Sequence, residues 1–289
     1  MIEGRVTKGI GGFYYVATER GLAECRARGR LRRERITPAV GDWAAISIVN
    51  ETPLQGALEE IRERTNFLIR PPVANVDNVV VVIAAASPNP DYFMVDKLIV
   101  TAERAGIRVI VAVNKTDLAL PDEIVSTYAD AGYPSIAVCA GRDEGTDALR
   151  DLIAGGVTAF AGNSGVGKSS ILNRLGFALE TGAVSKIARG KHTTRHAELL
   201  RLEPEGYVID TPGFSLLEIN GVKAGELRTH FREFARLGDC RFPGCAHVGA
   251  KAEDCAVIAA VRRGELRETR YQSYVTLYNS LKAVKEWEQ

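Results

Sequence analysis

Short alternations of apolar and polar residues dominate the first 65 positions of the chain. Apolar residues alternate with polar ones around Val6, an aromatic run covers 13–16, and further apolar segments cover 22–27 and 43–49. Short strands separated by turn residues are typical of a small β-barrel. We expect an OB-fold, a barrel that commonly binds nucleic acid.

Beyond residue 70 the alternation gives way to continuous apolar runs. The pattern predicts buried strands at 79–85, 107–113, 136–140 and 157–161, with helices at 92–105, after Pro121 and near 147–153. Continuous Val and Ile runs that alternate with helices indicate a parallel sheet covered on both faces. From residue 223 onward the pattern predicts helices, the last of them over 271–287.

These patterns predict an α/β protein of three domains. We assign 1–68 to the OB-fold barrel, 69–222 to the parallel-sheet domain and 223–289 to a helical domain. The longest unbroken apolar stretch has eight residues, 79–86, which is less than half of what a membrane-spanning helix needs. Charged residues also interrupt the first eight positions, where a signal peptide would need an apolar run. We therefore expect a cytoplasmic protein with no membrane segment.

The net charge of +1 hides an uneven distribution of charged residues. The net charge is +3 over 1–70, −5 over 71–222 and +3 over 223–289. Six arginines lie within ten residues and are accompanied by one glutamate: Arg26, Arg28, Arg30, Arg32, Arg33 and Arg35. Like charges at this density repel one another unless phosphates neutralise them. This favours nucleic-acid binding over the alternative, a solvated flexible loop.

A phosphate-binding loop follows the predicted strand at 157–161. The motif G-x-x-x-x-G-K-[ST] is matched by Gly162, Asn163, Ser164, Gly165, Val166, Gly167, Lys168 and Ser169, and a helix is predicted from Ser170. In such a loop backbone N–H groups surround the β-phosphate, Lys168 reaches the β- and γ-phosphates, and the Ser169 hydroxyl binds Mg²⁺. A chance glycine-rich turn is the alternative, and the strand and helix context argues against it.

A second motif indicates which base the nucleotide carries. Asn114, Lys115, Thr116 and Asp117 follow the predicted strand at 107–113 and match N-K-x-D. The Asp117 carboxylate can accept hydrogen bonds from guanine N1–H and the exocyclic amino group, a pair of donors that adenine lacks. Cys139 and Ala140 follow the next strand, where a backbone N–H can reach the guanine carbonyl. The motifs favour GTP over ATP, the alternative.

Two further segments are candidates for contact with Mg²⁺ and the γ-phosphate. Asp210 ends a predicted strand at 207–209 and begins a D-x-x-G element, in which Asp210 would hold Mg²⁺ and the Gly213 N–H would contact the γ-phosphate. Upstream, Thr193 or Thr194 could complete the Mg²⁺ shell, and we favour Thr194. The motif order, N-K-x-D before the phosphate loop, differs from that of common small GTPases and indicates a circular permutation.

Cysteines cluster near the C-terminal end of the chain. Cys240, Cys245, His247 and Cys255 fall within 16 residues, and three thiolates with one imidazole suit tetrahedral Zn²⁺. Because all four ligands come from the protein, we predict one structural zinc ion per chain. The alternative is a set of reduced core cysteines beside a surface histidine.

The motifs above and their order resemble those of the ribosome small-subunit-dependent GTPase A (RsgA) family over essentially the full chain. This resemblance implies an OB-fold, a circularly permuted GTPase domain and a zinc domain. It also implies a role in late maturation of the small ribosomal subunit, with GTP hydrolysis to GDP stimulated by that particle. The expected partners are the small subunit, its rRNA and GTP or GDP, and we expect a monomer.

Phe214 follows Gly213 at the position where Ras-like GTPases carry the glutamine that orients the attacking water. A phenyl ring cannot orient water, so the best replacement in this chain is His192, a role that the resemblance also suggests. A solvated loop histidine is the alternative. The rival function is a GTP-gated rRNA-binding scaffold or assembly factor whose hydrolysis is incidental.

Overall fold

The computed structural model describes residues 1–69, 71–178, 197–210 and 221–283. The chain divides into two compact units. The first unit draws on Met1–Val79, Arg150–Phe160 and Leu175–Phe214, and the second on Val80–Leu149, Ala161–Arg174 and Ser215–Gln289. In the part of the chain that the structure describes, every helix is too short or too polar to cross a membrane.

A closed five-stranded barrel begins the first unit. Its strands are β1 (Ile2–Ile10), β2 (Phe13–Thr18), β3 (Gly21–Ala27), β4 (Trp43–Glu51) and β5 (Leu54–Ile61). Strands pair in the order β1, β2, β3, β5, β4 and back to β1, and only the β3–β5 pair is parallel. Val6, Val16, Ile46 and Leu58 fill the interior. The predicted OB-like barrel is therefore confirmed.

Two elements of the barrel region were not predicted from the sequence: strand β5 and a helix in the arginine-rich segment. The apolar residues of β5 do not alternate with polar ones in the sequence, and in the structure only Leu58 is fully buried. Within the arginine-rich segment a short helix, α1, covers Gly29–Arg33. Its Leu31 is 2% exposed and joins the barrel core, which ties the segment to the barrel.

Outside the barrel, the first unit holds a hairpin of β6 (Phe67–Ile69) and β7 (Pro72–Ala74) and further strands. Strand β12 (Glu198–Arg201) pairs antiparallel with β1 at Lys8 and with β13 (Tyr207–Asp210). Lys8 Nζ lies 2.8 Å from Glu198 Oε2. Strand β13 in turn runs parallel to β11 (Val157–Ala161).

The second unit contains three of the four predicted Val- and Ile-rich strands. Strand β8 (Asn78–Ala84) is buried throughout, and β9 (Arg108–Asn114) runs parallel to β10 (Ser135–Ala137). Its helices are α2 (Tyr92–Arg104), α3 (Asp122–Asp130) and α5 (Lys168–Arg174), and α4 (Thr146–Ile153) begins in this unit. The mixed α/β class predicted from the sequence is confirmed.

The C-terminal part of the second unit is helical, as predicted. Two 3₁₀ turns, Leu227–His230 and Arg232–Arg236, precede α6 (Ala256–Arg262) and α7 (Glu268–Ala283). Phe231, Phe234, Tyr274 and Leu277 form a core together with Val100 of α2. Helix α7 begins three residues before the predicted start, and residues 284–289 lie outside the described part. The bounds of the three domains remain predictions.

Candidate functional site

The phosphate loop connects β11 to α5 and makes two very close approaches. A Cβ at Gly162 would lie 2.3 Å from the Val82 carbonyl oxygen, and one at Gly167 would lie 2.2 Å from Asn114 Nδ2. Both glycines have positive φ, +139° and +94° respectively. Only glycine combines this backbone conformation with such proximity. The two motif glycines are therefore fixed by the packing of the loop.

Lys168 stabilises the curve of this loop. Its ammonium donates hydrogen bonds to the Gly162 carbonyl at 2.7 Å and the Asn163 carbonyl at 2.8 Å. Burial lowers the pKa of Lys168. A partly dehydrated ammonium inside a loop of backbone N–H groups is the arrangement that attracts a phosphate anion. Ser169 and Ser170 follow Lys168 in the first turn of α5.

Asn114 joins three of the predicted segments. Its Nδ2 donates to the Val166 carbonyl at 2.9 Å, and its Oδ1 accepts from the Ala140 N–H at 3.2 Å. The side chain is 2% exposed, and a buried amide satisfied at both ends fixes the positions of its partners. The N-K-x-D segment, the Cys-Ala segment and the phosphate loop are thus held together.

The other N-K-x-D residues contact the loops around Asn114. Lys115, at φ +62°, donates from Nζ to the Ser87 carbonyl, and Thr116 Oγ1 donates to the Val138 carbonyl at 3.4 Å. The Cys139 thiol donates to Asp117 Oδ1 at 3.3 Å. The thiol is 1% exposed, so it orients one oxygen of the carboxylate from the protein side.

Two contacts near the loop were not predicted from the sequence. One is the Cys139 thiol, since the motif assigns only the backbone at that position, and the other is Asp91. Asp91 Oδ2 accepts from Asn163 Nδ2 at 2.9 Å, and Asp91 Oδ1 accepts from the Met94 N–H at 3.0 Å as the N-cap of α2. An aspartate just before a helical pattern is a recognisable capping signal, but the Asn163 contact spans 72 residues.

The remaining predicted nucleotide residues are described incompletely or not at all. Asp210 ends β13, as the D-x-x-G prediction requires, and its side chain is not described. His192, Thr193, Thr194 and Gly213 lie outside the described residues. Their roles stay predictions.

Among the residues that the structure describes, the arginine-rich segment is only partly neutralised. Arg28 Nε lies 3.1 Å from Glu59 Oε1, Arg30 Nε lies 2.7 Å from Glu34 Oε1, and Arg26 stacks over the Phe13 ring at 4.4 Å. Arg33 and Arg35 are exposed, and the Arg32 side chain is not described. Exposed ion pairs of this kind hold their partners weakly. The guanidinium groups therefore stay accessible to phosphates.

The four predicted metal ligands meet in the C-terminal part of the chain. The ligand atoms of Cys240, Cys245, His247 and Cys255 all lie within 4.8 Å of one another. His247 Nδ1 is 3.5 Å from the sulfurs of Cys240 and Cys255, which are 3.8 Å apart. Tetrahedral zinc with ordinary bond lengths places a nitrogen and a sulfur ligand about 3.5 Å apart and two sulfur ligands about 3.8 Å apart. The residues present thus fit a zinc ion.

Burial shifts the pKa of two of the four ligand groups. Burial raises the pKa of the Cys255 thiol to about 11, and burial together with Arg228 lowers the pKa of the His247 imidazole. A neutral imidazole is the form that binds a metal, and a bound cation stabilises the thiolates. Backbone N–H groups support two sulfurs: Ala256 donates to Cys240 and His247 donates to Cys245, each at 3.4 Å.

Comparison with known proteins assigns these features to a family. Residues 61–220 match the model described as RsgA GTPase, and residues 3–53 match the RsgA N-terminal domain. The chain belongs to the RsgA GTPase family. The resemblance stated from the sequence is confirmed, and with it the prediction of a GTP hydrolase.

RsgA relatives match across nearly the whole chain. A small ribosomal subunit biogenesis GTPase RsgA from Ruminiclostridium cellulolyticum is 44% identical, covering 99% of this chain and 96% of the relative. One from Caldanaerobacter subterraneus is 45% identical, covering 97% and 96% respectively.

Two solved structures extend the RsgA comparison to the fold. The crystal structure of YjeQ from Thermotoga maritima has a TM-score of 0.82 and 32% identity, covering 98% of this chain and 99% of its own. The crystal structure of YloQ, described as a circularly permuted GTPase, has a TM-score of 0.81 and 35% identity, covering 99% and 96%. The permuted order inferred from the motifs agrees with this description.

Proposed function

We propose that the chain is a GTPase that binds the small ribosomal subunit, assists its late maturation and hydrolyses GTP to GDP and phosphate. The observation that carries this proposal is Asn114, which ties the guanine-recognition segment to the phosphate loop in the permuted order. The names of the RsgA relatives support the assignment to ribosome maturation.

Guanine recognition rests on Asp117. Its carboxylate would accept from N1–H and the exocyclic amino group, while a backbone N–H of Cys139 or Ala140 would donate to the guanine carbonyl. That N–H would share its hydrogen with its present acceptor, because the Cys139 N–H donates to the Glu144 carbonyl at 2.9 Å and the Ala140 N–H donates to Asn114 Oδ1 at 3.2 Å. The Cys139 thiol already donates to Asp117 Oδ1. That contact supports a carboxylate held in one orientation before the base arrives, which lowers the entropic cost of binding.

Magnesium would bind beside the phosphates through oxygen ligands. Ser169 and Thr194 would supply hydroxyl oxygens and Asp210 a carboxylate, which is the donor set that Mg²⁺ prefers. When bound, the ion neutralises charge on the β- and γ-phosphates. Lys168 would exchange its two loop carbonyls for phosphate oxygens, so the same ammonium serves the empty and the filled loop.

Hydrolysis requires a group that orients water, and Phe214 cannot provide one. We assign this role to His192, whose imidazole can accept a proton from water or direct it by a hydrogen bond. His192→Ala is expected to abolish subunit-stimulated hydrolysis while GTP still binds. Unchanged turnover on the subunit would remove His192 from the mechanism and favour the scaffold alternative.

Zinc would occupy the Cys₃His cluster as a structural ion, one per chain. Four protein ligands leave no open coordination position, so the ion would organise the chain between the second 3₁₀ turn and α6. Such a site supplies folding free energy to the segment that contains it.

Binding to rRNA would use the arginine-rich segment on the barrel. Arg33 and Arg35 are exposed, and the Arg28 and Arg30 side chains are 57% and 67% exposed although each forms an ion pair. Exchange of these carboxylates for phosphates releases counterions and favours association. We infer a monomer acting in the cytoplasm, where ribosomal precursors are found.

The deciding experiment measures GTP hydrolysis with and without small ribosomal subunits over a series of salt concentrations. Stimulation by the subunit that falls steeply as salt rises is expected, because phosphate contacts release counterions. A rate that the subunit does not change would overturn the proposal. Normal binding to the subunit with no stimulation would favour the scaffold.

A further inference from the structure

Helix α2 carries two polar contacts on its N-terminal half, and each reaches a different part of the second unit. Asp91, the N-cap, accepts a hydrogen bond from Asn163 of the phosphate loop at 2.9 Å. Asp96 accepts from Arg270 of α7. Five residues of α-helix separate the two aspartates by about 7.5 Å along the axis. A short rigid segment therefore connects the phosphate loop to the C-terminal helix.

The contact at Asp96 is a buried ion network. Arg270 Nε donates to Glu233 Oε1 at 2.8 Å, and the Arg270 and Asp96 side chains are 1% and 0% exposed. The guanidinium also stacks over the Phe231 ring at 4.6 Å. Carboxylates on two segments hold the pKa of Arg270 above its usual value, against the lowering effect of burial. The guanidinium is therefore always charged.

A buried network of this kind is poorly explained as a source of stability. The cost of removing three charged groups from water is of the same size as their mutual attraction, and apolar side chains of similar volume often do as well. Removing one partner, however, leaves a buried charge uncompensated. The network therefore permits one alignment of α2, α7 and the 3₁₀ turn that contains Glu233, and it penalises others.

Helix α7 also holds the Cys₃His segment. Tyr271, the residue after Arg270, donates from its hydroxyl to the His247 carbonyl at 2.9 Å, and Tyr274 donates to the Ala246 carbonyl at 2.8 Å. Tyr274 and His247 further share an aromatic cluster with Phe234. The ligand His247 is thus attached to the helix that Arg270 fixes to α2.

We propose that Asp96 and Arg270 are positioning residues that couple the phosphate loop to α7 and the Cys₃His segment. Their ion pair fixes the position of α2, so that Asp91 can accept a hydrogen bond from Asn163. A nucleotide that reshapes the phosphate loop therefore makes α7 more ordered. The inference rests on the proposed function only in taking a guanine nucleotide as the ligand of the loop. By linkage, whatever orders α7 then strengthens nucleotide binding.

A double-mutant cycle tests this coupling. The dissociation constant of GDP is measured for the full chain, Asp96→Asn, Asn163→Ala and the double variant. Asp96→Asn, far from the nucleotide, is expected to raise the dissociation constant about fivefold, a modest coupling for distinct sites. The dissociation constant of the double variant for GDP should be no higher than the larger of the two single-variant values. The proposal would be overturned if the fold-changes of the two single variants multiplied in the double variant, or if Asp96→Asn left the dissociation constant unchanged.

A matched control removes an ion pair made by Arg267, the residue just before α7, that does not involve α2. Arg267 Nη2 lies 3.1 Å from Asp130 Oδ2 of α3, and both side chains are about half exposed. Asp130→Asn should leave GDP affinity unchanged. Equal weakening by Asp130→Asn and Asp96→Asn would overturn the specific role of Asp96 and assign the effect to general loosening of α7.

Hydrogen exchange on the unaltered protein gives a second measurement that no folding defect can obscure. GDP is expected to slow amide exchange in α7 as well as in the phosphate loop, with β3 of the first unit as the reference. Protection confined to the loop would overturn the coupling. Failure of GDP to bind at all would overturn the proposed function as well, whereas tight binding with additive variant effects would overturn this inference alone.

Discussion

The side-chain amide of Asn114 donates a hydrogen bond to the backbone carbonyl of Val166, 2.9 Å away in the phosphate loop. The other end of the same amide accepts the Ala140 N–H at 3.2 Å. A residue of the base-recognition motif therefore acts first as a structural clamp between loops. In a permuted chain, where 52 residues separate the two partners, this clamp fixes the distance between the N-K-x-D segment and the phosphate loop.

Substitution of Asn114 by alanine should weaken nucleotide binding without unfolding the protein. The change leaves the Val166 carbonyl and the Ala140 N–H without partners, and each buried group left unpaired costs about 1–3 kcal/mol. A loss of at least about tenfold in GDP affinity is expected from about 1.4 kcal/mol, measured by titration calorimetry. Asn50→Ala, which removes an exposed amide that donates to Thr52, should have no effect. Equal affinities of both variants would contradict the clamp.

Substitution of Asp117 by asparagine should change the preferred base. The amide can donate to the xanthine 2-oxo group but repels the guanine amino group, so GTP affinity should fall and xanthosine triphosphate should bind better. Competition between the two triphosphates measures the exchange. Asp122→Asn, an exposed change at the start of α3, serves as the control. A base preference that Asp117→Asn leaves unaltered would support the ATP-using alternative.

The thiol of Cys139 should affect KM more than kcat. Cys139→Ala removes the donor to Asp117 Oδ1, and because a thiol is a weak donor, its loss from the carboxylate predicts about a threefold increase in the KM for GTP. Cys139→Ser keeps a donor and should restore the KM. Steady-state kinetics of both variants provide the measurement. If serine and alanine behave alike, the thiol contributes only volume at this position.

Removal of the metal should destabilise the C-terminal part of the second unit. Cys240→Ala, or a strong chelator, should abolish zinc content measured by atomic absorption. The midpoint of thermal unfolding should fall by more than about 5 °C, since 1 kcal/mol shifts Tm by about 2–4 °C in a domain of 150–250 residues. Cys25→Ala, in the barrel core, should retain the metal. A chain that binds no zinc before treatment would contradict the site.

The exposed arginines should determine the salt dependence of subunit binding. Arg33→Gln with Arg35→Gln should lower affinity and reduce the slope of log affinity against log salt by about 0.7 for each single-strand phosphate that is no longer neutralised. Arg62→Gln, which removes an arginine already paired with Glu3 and Glu60, is the control. A slope that the double change leaves intact would place the RNA-binding surface elsewhere.

Much of the fold could be predicted because its strands carry strong patterns. Strand β8 is apolar at nearly every position, so its burial on both faces was evident. Strand β5 was missed because its apolar residues, Leu54, Ala57, Leu58 and Ile61, do not alternate with polar ones. The short helix α1 was missed for a related reason: five residues with one apolar anchor, Leu31, produce no periodicity.

The candidate site likewise has parts that the sequence predicted and parts that it did not. The phosphate loop, the N-K-x-D segment and the metal ligands were evident from the sequence, because the residues of each motif lie close together along the chain. The contact of Asp91 with Asn163 and that of Asp96 with Arg270 span 72 and 174 residues. No local pattern encodes a pairing at such a separation, so these contacts required the folded chain.

Strand β1 has a third partner, which lies outside the barrel, because its Lys8 pairs with Glu198 of β12. A shortened protein that lacked the barrel would leave that side of β12 uncovered. Uncovered edges pair with other chains and promote aggregation. Poor solubility of such a fragment would then reflect a missing neighbour, and activity comparisons should use point variants of the full chain.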